Sequence, residues 1–190
     1  MASSLNRFRQ IPTFGVDTIR RFSNNVSAMK KLAARDFEDM LQCCIPAFEG
    51  LLPDHEANER LVTLLYHTAE WHALAKLRMH TEQTLSSLER STAEFGRLLR
   101  QFRDFTAEKY VTYETPRELE ARQRHAAATA ASSAQPRAPI TRRRMVLNLN
   151  TYKFHALGDY AAQIRRFGTT DGYSTQIVSV YVLYLSRVNF

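Results

Sequence analysis

The chain has little with which to cross-link or activate itself. Its two cysteines, Cys43 and Cys44, are neighbours, and adjacent thiols bridge each other only with strain. A disulfide framework is excluded, which points to a reducing, intracellular compartment. Long apolar runs are scarce as well. The opening MASSLNRFRQIPTFG holds no continuous apolar stretch and does not read as a secretory signal. The run from Ile177 to Leu185 is far shorter than the roughly 20 residues a spanning helix needs. No membrane partner, small-molecule partner or cofactor is therefore expected. Gly-rich phosphate loops, a Gly-x-Ser-x-Gly elbow and a cysteine–histidine pair in a catalytic context are missing. His67 and His72 stand five apart, off the spacing that places two imidazoles on one helix face. No metal set is expected. Acidic charge is also in deficit: 19 Asp and Glu face 26 Lys and Arg, for a net charge of +7 over 190 residues. That surplus points to an anionic partner, nucleic acid being the commonest. A merely solvated basic surface is the alternative.

What is present is mostly helical pattern. The apolar share of 44% is that of a globular protein. Residues 1–25 form an N-terminal extension, loop-like through Pro12 and Gly15, with VDTIRRF as a short helix broken by Ser23-Asn24-Asn25. The helical region is 26–113. Met29, Leu32, Phe37, Leu41, Ile45, Phe48 and Leu52 make one apolar stripe. Pro46 is expected to kink or divide that helix, and Gly50 with Pro53 to end it. Cys43 and Cys44 lie beside the stripe and read as small, inert core residues. Beyond Asp54, Leu61, Leu64, Thr68, Trp71 and Ala75 form one heptad-spaced seam, with Trp71 as its anchor. Leu85, Leu88, Thr92, Phe95, Leu99 and Phe102 form a second. Two readings are open: a coiled-coil dimer through the Leu85–Phe102 seam, or two antiparallel helices of one bundle. Leu65, Leu98 and Phe105 widen the apolar face and favour the bundle. Thr81, with Glu82 behind it, predicts a helix start and hence a break near His80.

Composition changes at 114–145, the predicted linker. Thr115-Pro116-x-Glu118 carries a capping box. After about His125 the chain is expected to dissolve into disordered Ala, Ser, Thr, Pro and Arg, closing on Arg142-Arg143-Arg144. That triplet is either a phosphate contact or nuclear-import signal, or part of a solvated linker. Residues 146–176 regain order. Val146, Leu147 and Leu149 are extended, and a helix follows from Thr151 with Tyr152, His155, Ala156, Tyr160, Ile164 and Phe167 on one face. His155 reads as a packed core histidine and Gly168 as the helix stop. The fold class is mainly α: a small irregular bundle of two to three long helices, a disordered linker, a C-terminal helix, and a short β-prone apolar tail at 177–190.

The segment LNLNTYKFHALGDYAAQIRRFGTTDGYSTQ resembles a signature near the C-terminal end of fungal Plavaka-type transposases, of the Kyakuja-Dileera-Zisupton group. The matching positions are Asn148, Lys153, His155, Leu157, Tyr160, Ile164, Gly168, Thr169, Asp171, Tyr173, Ser174, Thr175 and Gln176. DFEDMLQCCIPAFEGLLPD and LLYHTAEWHALAKLRMHTEQTLSSLE resemble the helical region before that signature. The resemblance implies a truncated element from a basidiomycete DNA transposon. Enzymes of that kind are expected to hold two metal ions on several carboxylates. Asp171 is the motif acid that remains, and past Gln176 the family's acidic and basic continuation is replaced by an apolar run. The leading expectation is therefore a catalytically inert protein, nuclear, with weak non-specific DNA binding through Arg142, Arg143, Arg144, Arg165 and Arg166. A helical interaction module pairing through the Leu85–Phe102 seam is the runner-up, and an active metal-dependent nuclease comes last. Val178-Ser179 are residues that GTG-AGT or GTA-AGT would encode, letters resembling an intron's start, so VSVYVLYLSRVNF is read as translated intron.

Overall fold

The computed structural model describes residues 4–15, 18–23, 26, 32–130 and 141–170. Its elements are α1 (Ser4–Arg7), a 3-10 turn (Phe8–Gln10), α2 (Ala34–Phe48), α3 (His55–Ala75), α4 (Glu82–Lys109), β1 (Thr112–Tyr113), α5 (Pro116–Ala130), β2 (Arg144–Met145), α6 (Tyr152–His155), a 3-10 turn (Ala156–Asp159) and α7 (Tyr160–Phe167). The protein is mainly helical, with one two-stranded sheet among the described residues.

The two seams close on each other within the chain. Leu61, Leu64, Leu65, Thr68, Trp71 and Ala75 of α3 are buried, as are Leu85, Leu88, Phe95, Leu99 and Phe102 of α4. Helices α3 and α4 form an antiparallel hairpin whose turn is residues 76–81. Thr81 caps α4, its hydroxyl accepting from the Thr84 N–H at 3.2 Å, and so supplies the expected break. At the open end, Lys109 of α4 pairs with Asp54, the residue that caps α3 by accepting from Ala57 N–H at 2.8 Å. Trp71 joins three helices. Its indole N–H donates to Thr92 Oγ1 at 2.8 Å, and its ring meets Phe95 of α4 and Tyr160 of α7 at centroid distances of 6.4 and 5.0 Å.

Helix α2 packs on α3 through Phe37, Met40, Leu41, Cys43, Cys44, Ala47 and Phe48. Met29 of the expected stripe lies outside the described residues. Pro46 does not divide the helix, because only Ala47 and Phe48 follow it. The bond that Pro46 withholds belongs to the last turn, where Gly50 at φ 63° turns the chain away.

The N-terminal segment departs from its expected form. Residues 4–10 are helical; Val16 and Asp17 of the expected VDTIRRF helix lie outside the described residues, and its described part is not helical but pairs Ile19 with Phe14 in an isolated bridge, beside Gly15 at φ 61°. A lone turn of helix is weak in water, and here tertiary contacts outweigh it. Arg20 donates to Asp39 at 2.9 Å and Asp36 at 2.7 Å, both on α2. Phe8 and Phe22 are buried, and the Phe8 ring meets Phe22 at 5.4 Å and Phe48 at 6.1 Å.

The linker is ordered at both ends. Thr115 and Glu118 form the capping box, with Thr115 N–H donating to Glu118 at 2.9 Å and Glu118 N–H to Thr115 Oγ1 at 3.3 Å. Helix α5 passes the predicted dissolution point at His125 and runs to Ala130. Residues 131–140, Asp171 to Gln176 and the apolar tail lie outside the described residues.

The C-terminal helix is broken, and its buried face matches the expected one only in part, with Ile164 buried and Ala156 and Tyr160 half-buried. Leu157, Ala161 and Ile164 are buried, whereas Tyr152, His155 and Phe167 are exposed. The 3-10 turn advances about 120° per residue rather than about 100°, so the faces of α6 and α7 fall out of phase. His155, expected in the core, consequently points outward.

Candidate nucleic-acid interface

The five arginines expected to meet phosphate fall on two elements, and the structure treats them differently. Arg142, Arg143 and Arg144 lead into and open β2, which pairs antiparallel with β1, Tyr113 opposite Arg144 and Thr112 opposite Met145. Glu114 organises this ribbon. Its N–H donates to the Arg143 carbonyl at 3.0 Å. Its own carbonyl accepts from Arg142 Nε at 3.0 Å and Nη2 at 2.7 Å. Its carboxylate accepts from Arg143 N–H at 3.0 Å and pairs with Arg122 of α5. The Arg122 guanidinium, more than any other group, holds that carboxyl below its usual range, against the opposing effect of burial. Arg122 also donates to the Thr141 carbonyl at 2.7 Å.

Arg144 donates to the Ala107 carbonyl, in the last turn of α4, at 2.8 Å. Basic side chains commonly satisfy such terminal carbonyls. Arg142 and Arg144 are thus fixed by neutral oxygens, which orient a guanidinium without cancelling its charge. Arg143 is exposed, and its side chain has no hydrogen-bonded partner among the described residues. Tyr113 is half exposed with the Arg142 guanidinium carbon 5.7 Å from its ring centroid, and Val111, Met145 and Val146 are exposed around it. Two anchored positive charges, Arg142 at the ring and Arg144 opposite Tyr113 across the ribbon, therefore accompany an accessible aromatic ring, with Arg143 between them in sequence. That arrangement suits phosphate contact with base stacking.

Arg165 is engaged elsewhere. It bonds Glu82 at 3.1 Å and Glu89 at 2.5 Å on α4, so two carboxylates offset its charge while fastening α7 to α4. Arg166 is exposed and sits 5.1 Å from the ring centroid of Phe167. Neither shares the ribbon with Arg142–Arg144.

Of the other C-terminal motif positions that are described, Asn148, Lys153 and His155 are exposed, while Leu157, Tyr160 and Ile164 pack. Tyr160 is half-buried and meets Trp71 edge-on. Gly168 has φ 88° and ψ −170°, a region other residues avoid. It turns the chain so that Thr169 is half-buried and Thr170 fully buried, the Thr170 hydroxyl donating to the Ala75 carbonyl at the end of α3 at 2.9 Å. Asp171 and Tyr173 lie outside the described residues. Thr170 occupies the variable position of the signature, and no sequence signal marked it.

Cys43, Cys44 and His72 are turned inward. Burial pushes the Cys43 thiol up to about 11 and that of Cys44 to about 12, well away from a reactive thiolate. Burial pushes His72 down to about 4. His67 is held by Glu70 at 3.0 Å. Among the described residues no group of three His, Cys, Asp or Glu could hold a metal ion, and no helix is long and apolar enough to cross a membrane.

No family model, curated protein or solved structure matches the chain. The fold and site define a small, mainly helical protein with an arginine-bearing two-stranded ribbon. The seam from Leu85 to Phe102 is covered by the chain's own α3.

Proposed function

We propose that the chain is a non-enzymatic module that contacts nucleic-acid phosphates weakly and without sequence preference, derived from a Plavaka-type transposase and acting in the nucleus. The observation that carries this reading is the ribbon: Arg142 and Arg144 held by the carbonyls of Glu114 and Ala107, their charge uncancelled, beside the exposed ring of Tyr113. Pre-oriented guanidiniums lose less freedom on meeting phosphate than free side chains do. The non-enzymatic part is supported by the raised cysteine thiols and the inward histidine. It narrows the contact set to Arg142, Arg143 and Arg144, with Arg166 secondary and Arg165 acting in the fold.

Fluorescence anisotropy of a labelled duplex, titrated at several salt concentrations, tests the reading. Log affinity is expected to fall linearly with log salt, and Arg143→Gln to reduce the slope by about one. Tyr113→Ala is expected to weaken single strands more than duplex. Salt-insensitive binding, or none at low salt, would refute the nucleic-acid contact. Metal-dependent nicking of DNA that Asp171→Ala abolishes would refute the non-enzymatic part.

A further inference from the structure

Several basic side chains along the helical part of the chain are matched with carboxylates: Arg20 with Asp36 and Asp39, Arg60 with Glu56, Lys76 with Glu38, Arg97 with Glu94 and Lys109 with Asp54. Arg9 and Arg21 are exceptions. Both are exposed, and among the described residues neither guanidinium has a hydrogen-bonded or ion-pair partner. They line the same open cleft of about 450 Å³, together with Asn6, Gln10, Phe22 and Ser23. No carboxylate is among these lining residues.

Local structure explains the convergence. Asn6, Arg9 and Gln10 are three and four residues apart across α1 and its 3-10 extension, so they share a side of the turn. Phe8 points the other way, into the core. Arg21 and Ser23 flank the buried Phe22, and both are exposed and line the cleft. The edge-on contact of Phe8 and Phe22 at 5.4 Å holds the two segments together. Two cations facing one recess repel each other, and a bound anion reverses that cost.

We propose that this cleft binds a small phosphate-bearing anion, distinct from the ribbon's nucleic-acid contact. Two guanidinium forks match phosphate oxygens bidentately. The amides of Asn6 and Gln10 and the Ser23 hydroxyl supply neutral donors. The volume is within the range of small-ligand sites and admits more than one phosphate group.

Isothermal titration of the full chain at constant ionic strength tests this, with inorganic phosphate, inorganic pyrophosphate and a nucleoside diphosphate as probes. Pyrophosphate is expected to bind once per chain, more tightly than phosphate. Arg9→Gln and Arg21→Gln are each expected to weaken it by about tenfold or more. Arg143→Gln, on the ribbon, is expected to change it less than about twofold. Equal affinity for the nucleoside diphosphate identifies the diphosphate as the group recognised, and tighter affinity identifies a free nucleotide as its source. Both variants alter exposed side chains, so their thermal melts are expected to match the parent's. The parent titration decides independently of them: absence of saturable binding by every probe overturns the proposal. So does binding that survives both substitutions.

Discussion

The protonation of His72 bears on the stability of the fold. His72 lies on α3 within reach of the Lys76–Glu38 pair, and its Nε2 is buried with no hydrogen-bond partner among the described residues. Burial is the main cause of its depressed pKa, Lys76 adds to it, and Glu38 opposes it. The folded state therefore keeps His72 neutral down to about pH 4, while the unfolded chain takes the proton near 6.5. Stability contributed by neutral His72 is fully present above 6.5 and is lost as pH falls from 6.5 towards 4. That gap sets a ceiling of roughly 3 kcal/mol. Urea unfolding between pH 7 and 4.5 is expected to show the loss, and His72→Gln to flatten most of it. His80, depressed by the same cause, supplies a remainder. An equally steep loss in His72→Gln would assign the effect to carboxylates instead. Asp54, Glu94 and Glu114 are held below their ordinary values by Lys109, Arg97 and Arg122 respectively, so their contributions are lost lower, as pH falls below about 4.

At the scale of elements, the α3–α4 hairpin decides between the two readings of the heptad seams. Leu88 is fully buried within the chain, so the seam is not free to pair with a second copy. Sedimentation is expected to show a monomer across the accessible concentration range. Leu88→Asp is expected to destabilise the fold by about 3–5 kcal/mol, through an unpaired charge in the core. A folded Leu88→Asp monomer beside a dimeric parent would restore the coiled coil. The hairpin was legible because its signals agree: apolar period, wide face and Thr81 cap. The ribbon was half legible. Three arginines in a row are plain in the sequence, but Glu114, 28 residues before Arg142, carries no local sign of being their hub. Arg165 shows the opposite failure. It looked available because its partners, Glu82 and Glu89, are more than 75 residues away. The face of α6 and α7 was legible at Tyr160 and Ile164 but not at Tyr152, His155 and Phe167, because a 3-10 turn shifts phase without any residue type announcing it.

Across the whole molecule, the largest revision concerns the first two dozen residues. Their Pro12 and Gly15 suggested a loop-like extension. Yet Phe8 is among the most fully buried large side chains, touching Phe22 and the end of α2 at Phe48. Arg20 adds a second attachment by holding the buried carboxylate of Asp39. A segment joined to α2 by an aromatic cluster and an ion pair unfolds with the bundle rather than before it. Phe8→Ala is therefore expected to lower global stability by about 3 kcal/mol, from lost transfer energy plus a cavity beside Phe48. Arg20→Met is expected to cost less, because its guanidinium is partly exposed, although Asp39 is then left buried without a cation. Native-state hydrogen exchange separates the possibilities. If the segment belongs to the core, the amide of Ile19, bonded to the Phe14 carbonyl at 3.0 Å, exchanges with the same opening free energy as amides in α2, and Phe8→Ala lowers both together. If it were an extension, the Ile19 amide would exchange far faster than α2, and Phe8→Ala would leave α2 unchanged.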